Sequence, residues 1–250
     1  QEMLKLEKRP QQSQKWIYLS PFLAVVITMI SGGILFAILG ENPFEAIRII
    51  FWDPLFDPNF ASYSRPQLLV KAGPLILIAI GLSFGFKAGV WNIGAEGQYI
   101  MGAIFGASLA LAFYPMESKL IFPLMIIAGA LGGFLWGMIP AFLKAKLNTN
   151  EILVSLMLVY VAESILASVS QGLLKNPDGY GFPGSRNLQK YESAANVEII
   201  SNSGMHWGVL FAFITVIFSY IVLTRHIQGF NIQLTGEAPR AAKFSGVNPT

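Results

Sequence analysis

Cysteine is missing from all 250 residues, which excludes disulfides, thiolate metal sites and a cysteine nucleophile. Histidine occurs twice, at His206 and His226, too few for a histidine-rich metal centre. Charge is scarce: 12% of the chain is Asp, Glu, Lys or Arg, against about 25% in a soluble domain. With 54% hydrophobic residues and a mean hydropathy of +0.55, too little polar surface remains to cover a water-facing globule. The patterns G-x-x-x-x-G-K-[ST] and H-E-x-x-H are also missing. The chain therefore carries no phosphate loop for hydrolysing ATP itself and no zinc-protease helix, and no cofactor motif replaces them. No basic run interleaves with aromatics, so nucleic acid is not an expected partner; the net charge of +3 fits basic loops beside membrane spans.

What is present is a series of apolar runs. Residues 1–20 form a polar, basic N-terminal segment. Pro21 to Leu39 is long enough to span hydrocarbon and lacks a signal-peptide cleavage pattern, which favours an uncleaved first helix. Residues 41–70 are wet and proline-rich, with a short surface helix expected within Pro43 to Phe51. Further spans are expected at Ala72 to Phe86, Gln98 to Tyr114, Leu120 to Leu143, Glu151 to Leu173 and Trp207 to Leu223. Pro115 to Lys119 is a tight turn, and residues 174–206 are polar and rich in turn formers. The fold class is therefore all-α: a polytopic helical bundle of about six spans over residues 21–225, with a discontinuous, re-entrant segment. Residues 226–250 follow as a cytoplasmic segment.

An N-terminus on the inside puts ten of the 17 basic residues there: Lys5, Lys8, Arg9, Lys15, Lys87, Lys144, Lys146, Arg225, Arg240 and Lys243. The Lys144/Lys146 turn weighs most, because it is short and flanked tightly by spans. Gly81-x-x-x-Gly85, Gly102-x-x-x-Gly106 and Gly129-x-x-x-Gly133-x-x-x-Gly137 would let helix backbones approach closely.

Three stretches depart from a generic span. Between two short apolar runs, Phe84 to Gln98 holds Lys87, Asn92, Glu96 and Gln98 among four glycines. A hydrophobic segment broken by glycine is a pointer to a transporter's binding site, because irregular backbone at membrane depth must be buried or line a wet cavity. Asn92, Glu96 and Gln98 offer hydrogen bonds there, and Phe84, Phe86 and Trp91 offer stacking faces. The competing reading is an ordinary loop with Lys87 reaching to the interface. Glu163 is a carboxylate in mid-span, either functional or buried against a partner for structural reasons. Asn150 and Glu151 read as a helix cap with a carboxylate complementing the dipole. In the tail, Glu237 to Ser245 reads as a short helix stopped by Gly246, suited to docking on a soluble partner, or else as a plain connection. Asn248 and Pro249 look like the start of another helix. Together with Gln1 in place of Met, this creates the expectation of a fragment that continues into further spans.

With these stretches in view, the chain resembles the ABC importer permeases of the ribose, branched-chain amino acid and nucleoside superfamily, nucleoside (guanosine-type) branch. Phe86 to Gln98, Asn150-Glu151-Ile152 and Thr235 to Gly246 carry the resemblance, which covers about residues 20–250. It implies a bacterial inner-membrane protein without its own ATPase site, a truncated permease moving a small polar solute, most simply a nucleoside, by alternating access. The implied partners are an ATP-binding cassette ATPase, a second permease subunit, an extracellular solute-binding lipoprotein and membrane lipid. The implied substrate site comprises Phe86, Trp91, Asn92, Glu96 and Gln98. The implied ATPase contact comprises Thr235, Gly236, Glu237, Ala238, Pro239, Arg240, Ala241 and Lys243, similar to a coupling helix. Residues 41–70 and 174–206 would face the binding protein. Trp91 stands where relatives commonly have Phe, and Val159 where many have Asn, which bears on the exact substrate. The rival is a secondary transporter or channel using Glu163 or Glu96 as a proton or cation site.

Overall fold

In a bilayer no water is available to the backbone, so a spanning segment must satisfy its own N–H and C=O groups, and helices do this within one segment. The computed structural model of the chain describes residues 13–201 and 203–247, and among these no strand is present. The helices are α1 (Gln14–Ile38), α2 (Pro43–Ile47), α3 (Asp53–Phe56), α4 (Ala61–Lys87), α5 (Ala95–Ala112), α6 (Ile121–Leu147), α7 (Glu151–Gln171), α8 (Trp207–Arg225), α9 (Ile227–Glu237) and α10 (Pro239–Phe244). A π-helical turn over Arg48–Trp52 joins α2 to α3, and a 3₁₀ turn covers Leu188–Lys190. Among the described residues five helices, α1, α4, α6, α7 and α8, are long and apolar enough to cross a membrane. Little of their apolar surface is covered by the chain itself, as expected where lipid is the solvent. The expected helix start at Asn248 and Pro249, and Lys5, Lys8 and Arg9, lie outside the described residues.

The chain divides into two compact units, Gln1–Leu68 and Leu69–Thr250. In the first, α1 packs on α2, with Gly33 against Ile47 and Pro43. Asn42 caps α2 by accepting from the Phe44 and Glu45 backbone N–H groups, and Pro43 takes the first helical position. The expected surface helix at Pro43 to Phe51 is thus split, its second half widened into a π turn. The wet segment also folds further than its prolines suggest. Ser64 donates to the Pro54 carbonyl, and Arg65 Nε to the Leu55 carbonyl at 2.6 Å. These bonds hold the first turns of α4, which begins at Ala61 rather than Ala72 and runs for 27 residues.

In the second unit, α5, α6 and α7 form the packed centre. Two of the three glycine stripes read in the sequence meet there, those of α5 and α6, whereas a Cβ on Gly81 of α4 would meet nothing within 4 Å. A Cβ on Gly102 would lie 2.9 Å from the Gly129 carbonyl, so α5 and α6 touch through backbone. Met101, Ile104 and Ala162 are buried between these helices, with Trp136 and Ile165 packed on them. α5 has 18 residues, about 27 Å at 1.5 Å per residue, close to the thickness of the hydrocarbon core. It starts at Ala95 because Gln98 N–H bonds the Gly94 carbonyl, three residues earlier than the apolar run implies.

Loops sort to two ends of this unit. At one end, Tyr191 Oη donates to the carbonyls of Phe113, at 3.3 Å, and Met116, and Ser193 Oγ accepts from the Ser118 N–H at 2.9 Å. Arg186 pairs with Asp178 at 2.8 Å and lies 4.6 Å over the Tyr114 ring. The turn-rich segment 174–206 is thereby folded onto the α5–α6 connection. At the other end lie the α4–α5 and α6–α7 connections and the tail. Asn148 closes α6 in the left-handed region at φ 51, and Asn150 caps α7 by accepting from the Ile152 and Leu153 N–H groups, as read in the sequence.

Both histidines serve as caps too: Nδ1 of His206 accepts from Gly208 N–H at the start of α8, and Nδ1 of His226 from Gln228 N–H at the start of α9. The tail differs from the expected single helix over Glu237 to Ser245. Thr235 to Glu237 end α9, the backbone breaks at Ala238, and Pro239, which has no N–H to satisfy, opens α10. Gly246, at φ +84, follows α10 and ends it.

Candidate functional site

The α4–α5 interruption is built from hydrogen bonds that its own residues dictate. Gly89 has φ +76, and the bonds Gly89 N–H to Phe86 O and Val90 N–H to Gly85 O, at 3.1 and 2.9 Å, close α4 in a Schellman turn. Asn92 Oδ1 then accepts from the Gly94 N–H at 2.8 Å and turns the chain into α5. Ile93 N–H bonds Ser155 Oγ at 3.2 Å, and Ser155 is buried. Gly94 fits only as glycine: a Cβ there would lie 2.7 Å from the Ser155 carbonyl. Gly97 rests on Val159, which is buried at 6% exposure beneath α5.

α4 stands back from α5 and α6, and the space between them is a cavity of about 670 Å³. Leu77 and Gly81 of α4, Gln98 and Tyr99 of α5, and Phe134 and Gly137 of α6 line it, and Asn92 closes one end. The Gln98 carboxamide lies along Gly137, where a Cβ would be 3.1 Å from Nε2. With Asn92 Oδ1 engaged by Gly94, the NH₂ of Asn92 is the group left for a ligand. No lining residue is ionisable at neutral pH. A smaller recess of about 180 Å³ adjoins it, sharing Gly81, Leu82, Asn92, Gly137 and Ala141, and reaches Glu151 and Ser155. Glu151 is paired there with Lys144 at 3.0 Å.

Of the five residues read as a substrate site, Asn92 and Gln98 line the cavity. Phe86 and Trp91 stack on each other at 4.9 Å, are 43% and 55% exposed, and are not among its lining residues. Glu96 is exposed in the first turn of α5, where a carboxylate favours the helix dipole. Glu163 is exposed on α7 and lines neither cavity. Tyr99, Phe134 and Leu77 were not legible as site residues. Their signal was positional: Tyr99 follows Gln98, and Phe134 and Leu77 sit beside the glycine stripes. Among the described residues no group of three or more His, Cys, Asp or Glu gathers to hold a metal ion.

The segment read as a partner contact lies at the same end of the unit. Gly236 packs on the backbone of Lys87, Ala88 and Gly89. Gln233 Nε2 donates to Glu237 Oε1 at 2.8 Å. Ala242 is fully buried, while Arg240, Ala241, Lys243 and Phe244 are exposed, Phe244 at 95%.

A multi-pass helical membrane protein with a polar-ended cavity between its helices is the class these features define. Residues 65–250 match the family described as branched-chain amino acid transport system, permease component, and the chain belongs to that family. It is similar to a glucose ABC transporter permease protein of Haloferax volcanii, with 30% identity covering 93% of this chain and 62% of the relative. It is also similar to a nucleoside ABC transporter permease protein of Lactococcus lactis, with 29% identity covering 92% and 64%. A guanosine ABC transporter permease protein of Bacillus subtilis is 23% identical over the same shares. The chain thus spans somewhat under two thirds of the length of these relatives. No solved structure matches it.

Proposed function

We propose that this chain forms the membrane-spanning permease part of an ABC importer that carries a neutral polar solute, with a nucleoside as the substrate class. The observation that carries the reading is the cavity lining: donors from Asn92 and Gln98, rings from Tyr99 and Phe134, and no Asp, Glu, Lys, Arg or His. A free amino acid brings an ammonium and a carboxylate, and burying either without a partner is costly. A nucleoside brings a flat base for stacking and hydroxyls for hydrogen bonds, and 670 Å³ is ample for it. The glucose, nucleoside and guanosine permeases among the relatives support a neutral solute.

In this reading a binding lipoprotein delivers solute on the side of segment 174–206. A second permease subunit completes the pathway, and an ATPase drives alternating access from the side of residues 226–250. The α9–α10 segment, including Thr235 to Ala241 and Lys243, docks on the ATPase. The test is uptake by vesicles holding the full-length permeases with their ATPase and binding protein. Labelled nucleoside should accumulate only with ATP, and excess leucine should not compete. Accumulation of leucine, or uptake of nucleoside on a proton gradient without ATP, would overturn the proposal; the second outcome would favour a secondary transporter working through Glu163.

A further inference from the structure

The contact between the tail and the α4–α5 break is closer than packing alone needs. A Cβ on Gly236 would lie 2.1 Å from the Lys87 carbonyl oxygen, and 3.0 Å from both Ala88 C and Gly89 N. Reciprocally, a Cβ on Gly89 would lie 3.4 Å from the Gly236 Cα. Two glycines therefore face each other backbone to backbone, with no side chain between them to yield. From Gly89 it is three residues along the chain to Asn92, which lines both the cavity and its recess.

The break is also fixed to α7. Ser155 Oγ takes the Ile93 N–H, and Gly94 sits on the Ser155 backbone. The Glu151 carboxylate lies within electrostatic reach of the Trp91 backbone N–H and is paired with Lys144 across the α6–α7 turn. A loop this short, held at both ends by backbone contact and hydrogen bonds, transmits a displacement instead of absorbing it.

We infer that Gly236 is the point at which movement of the α9–α10 segment is passed to the break, and that Ser155 and the Lys144–Glu151 pair hold the break to α7 so that Asn92 moves with α9. Glu151, Ser155 and Gly236 are positioning residues for the cavity end. The inference rests on the importer reading above and adds to it a mechanical route from the motor side to the solute.

Gly236→Ala tests it in the reconstituted full-length complex, with two readouts: solute taken up per ATP hydrolysed, and emission from a chain in which Trp91 is the only tryptophan. Trp91 lies on the break and stacks on Phe86, so its emission reports the break directly. In the parent chain ATP should change that emission. In Gly236→Ala the change should be lost, and uptake per ATP should fall by about tenfold, a common size for coupling between sites. If Gly236→Ala does not assemble, Ser155→Ala decides by the same two readouts, because it removes one hydroxyl and adds no atom. An ATP-induced change and a transport ratio equal to those of the parent in the assembled variant would overturn the inference. A parent complex with no ATP-dependent uptake would instead overturn the importer reading.

Discussion

Asn92 shows how one side chain serves both fold and site. Its Oδ1 shapes the turn into α5, and its NH₂ remains for a ligand. Asn92→Asp keeps the acceptor and loses the donors, so the complex should assemble while the KM for a nucleoside rises about tenfold, in line with the loss of one or two hydrogen bonds. Uptake kinetics check this, and an unchanged KM would remove Asn92 from the solute path. Gln98→Leu should act in the same direction. Asn150 is a simpler case. As the cap of α7 it accepts two N–H groups, and Asn150→Ala should cost about 1 kcal/mol of stability, read from denaturant unfolding in detergent. Trp91 reads as a stacking platform for solute, and its ring lies on Phe86.

At the scale of helices, α5 and α6 hold together through glycine. Adding a methyl at Gly102 places it 2.9 Å from a carbonyl of the facing helix, where no side-chain rotation gives relief. Gly102→Ala should therefore destabilise by about 1–3 kcal/mol, as overpacking does. Gly32→Ala in α1 meets nothing within 4 Å and should hold stability or raise it by up to about 1 kcal/mol, the helix-propensity gain over glycine. Thermal unfolding of the two variants in the same detergent separates a packing effect from a propensity effect. Equal midpoints would show that the stripe is not an interface. The start of α4 is the element that the sequence described least well. Arg65 and Pro66 read as part of the wet segment, yet bonds from Ser64 and Arg65 to residues ten positions earlier hold the helix there.

Over the whole chain, the lysine bias and the sorting of loops point to the same orientation. The Lys144/Lys146 turn shares an end of the second unit with the α4–α5 break and the tail, and segment 174–206 shares the other with the α5–α6 connection. A chain without cysteine makes this direct to test. A membrane-impermeant maleimide should label Tyr180→Cys, a position 99% exposed, in intact cells, and should label Lys146→Cys only after the cells are opened. The opposite pattern would invert the topology and place α9 and α10 outside, away from any ATPase.

Hydropathy, charge and glycine spacing by themselves determined the helical membrane class, the approximate spans, the glycine stripes suited to close packing and the cap at Asn150, because each depends on residues close in sequence. The cavity, the pairing of Lys144 with Glu151 and the seating of Gly236 on Gly89 were decided only by tertiary structure. Those contacts join segments from 7 to 147 positions apart along the chain. Which backbone a glycine leaves room for is a property of the partner helix and leaves no trace in the local sequence.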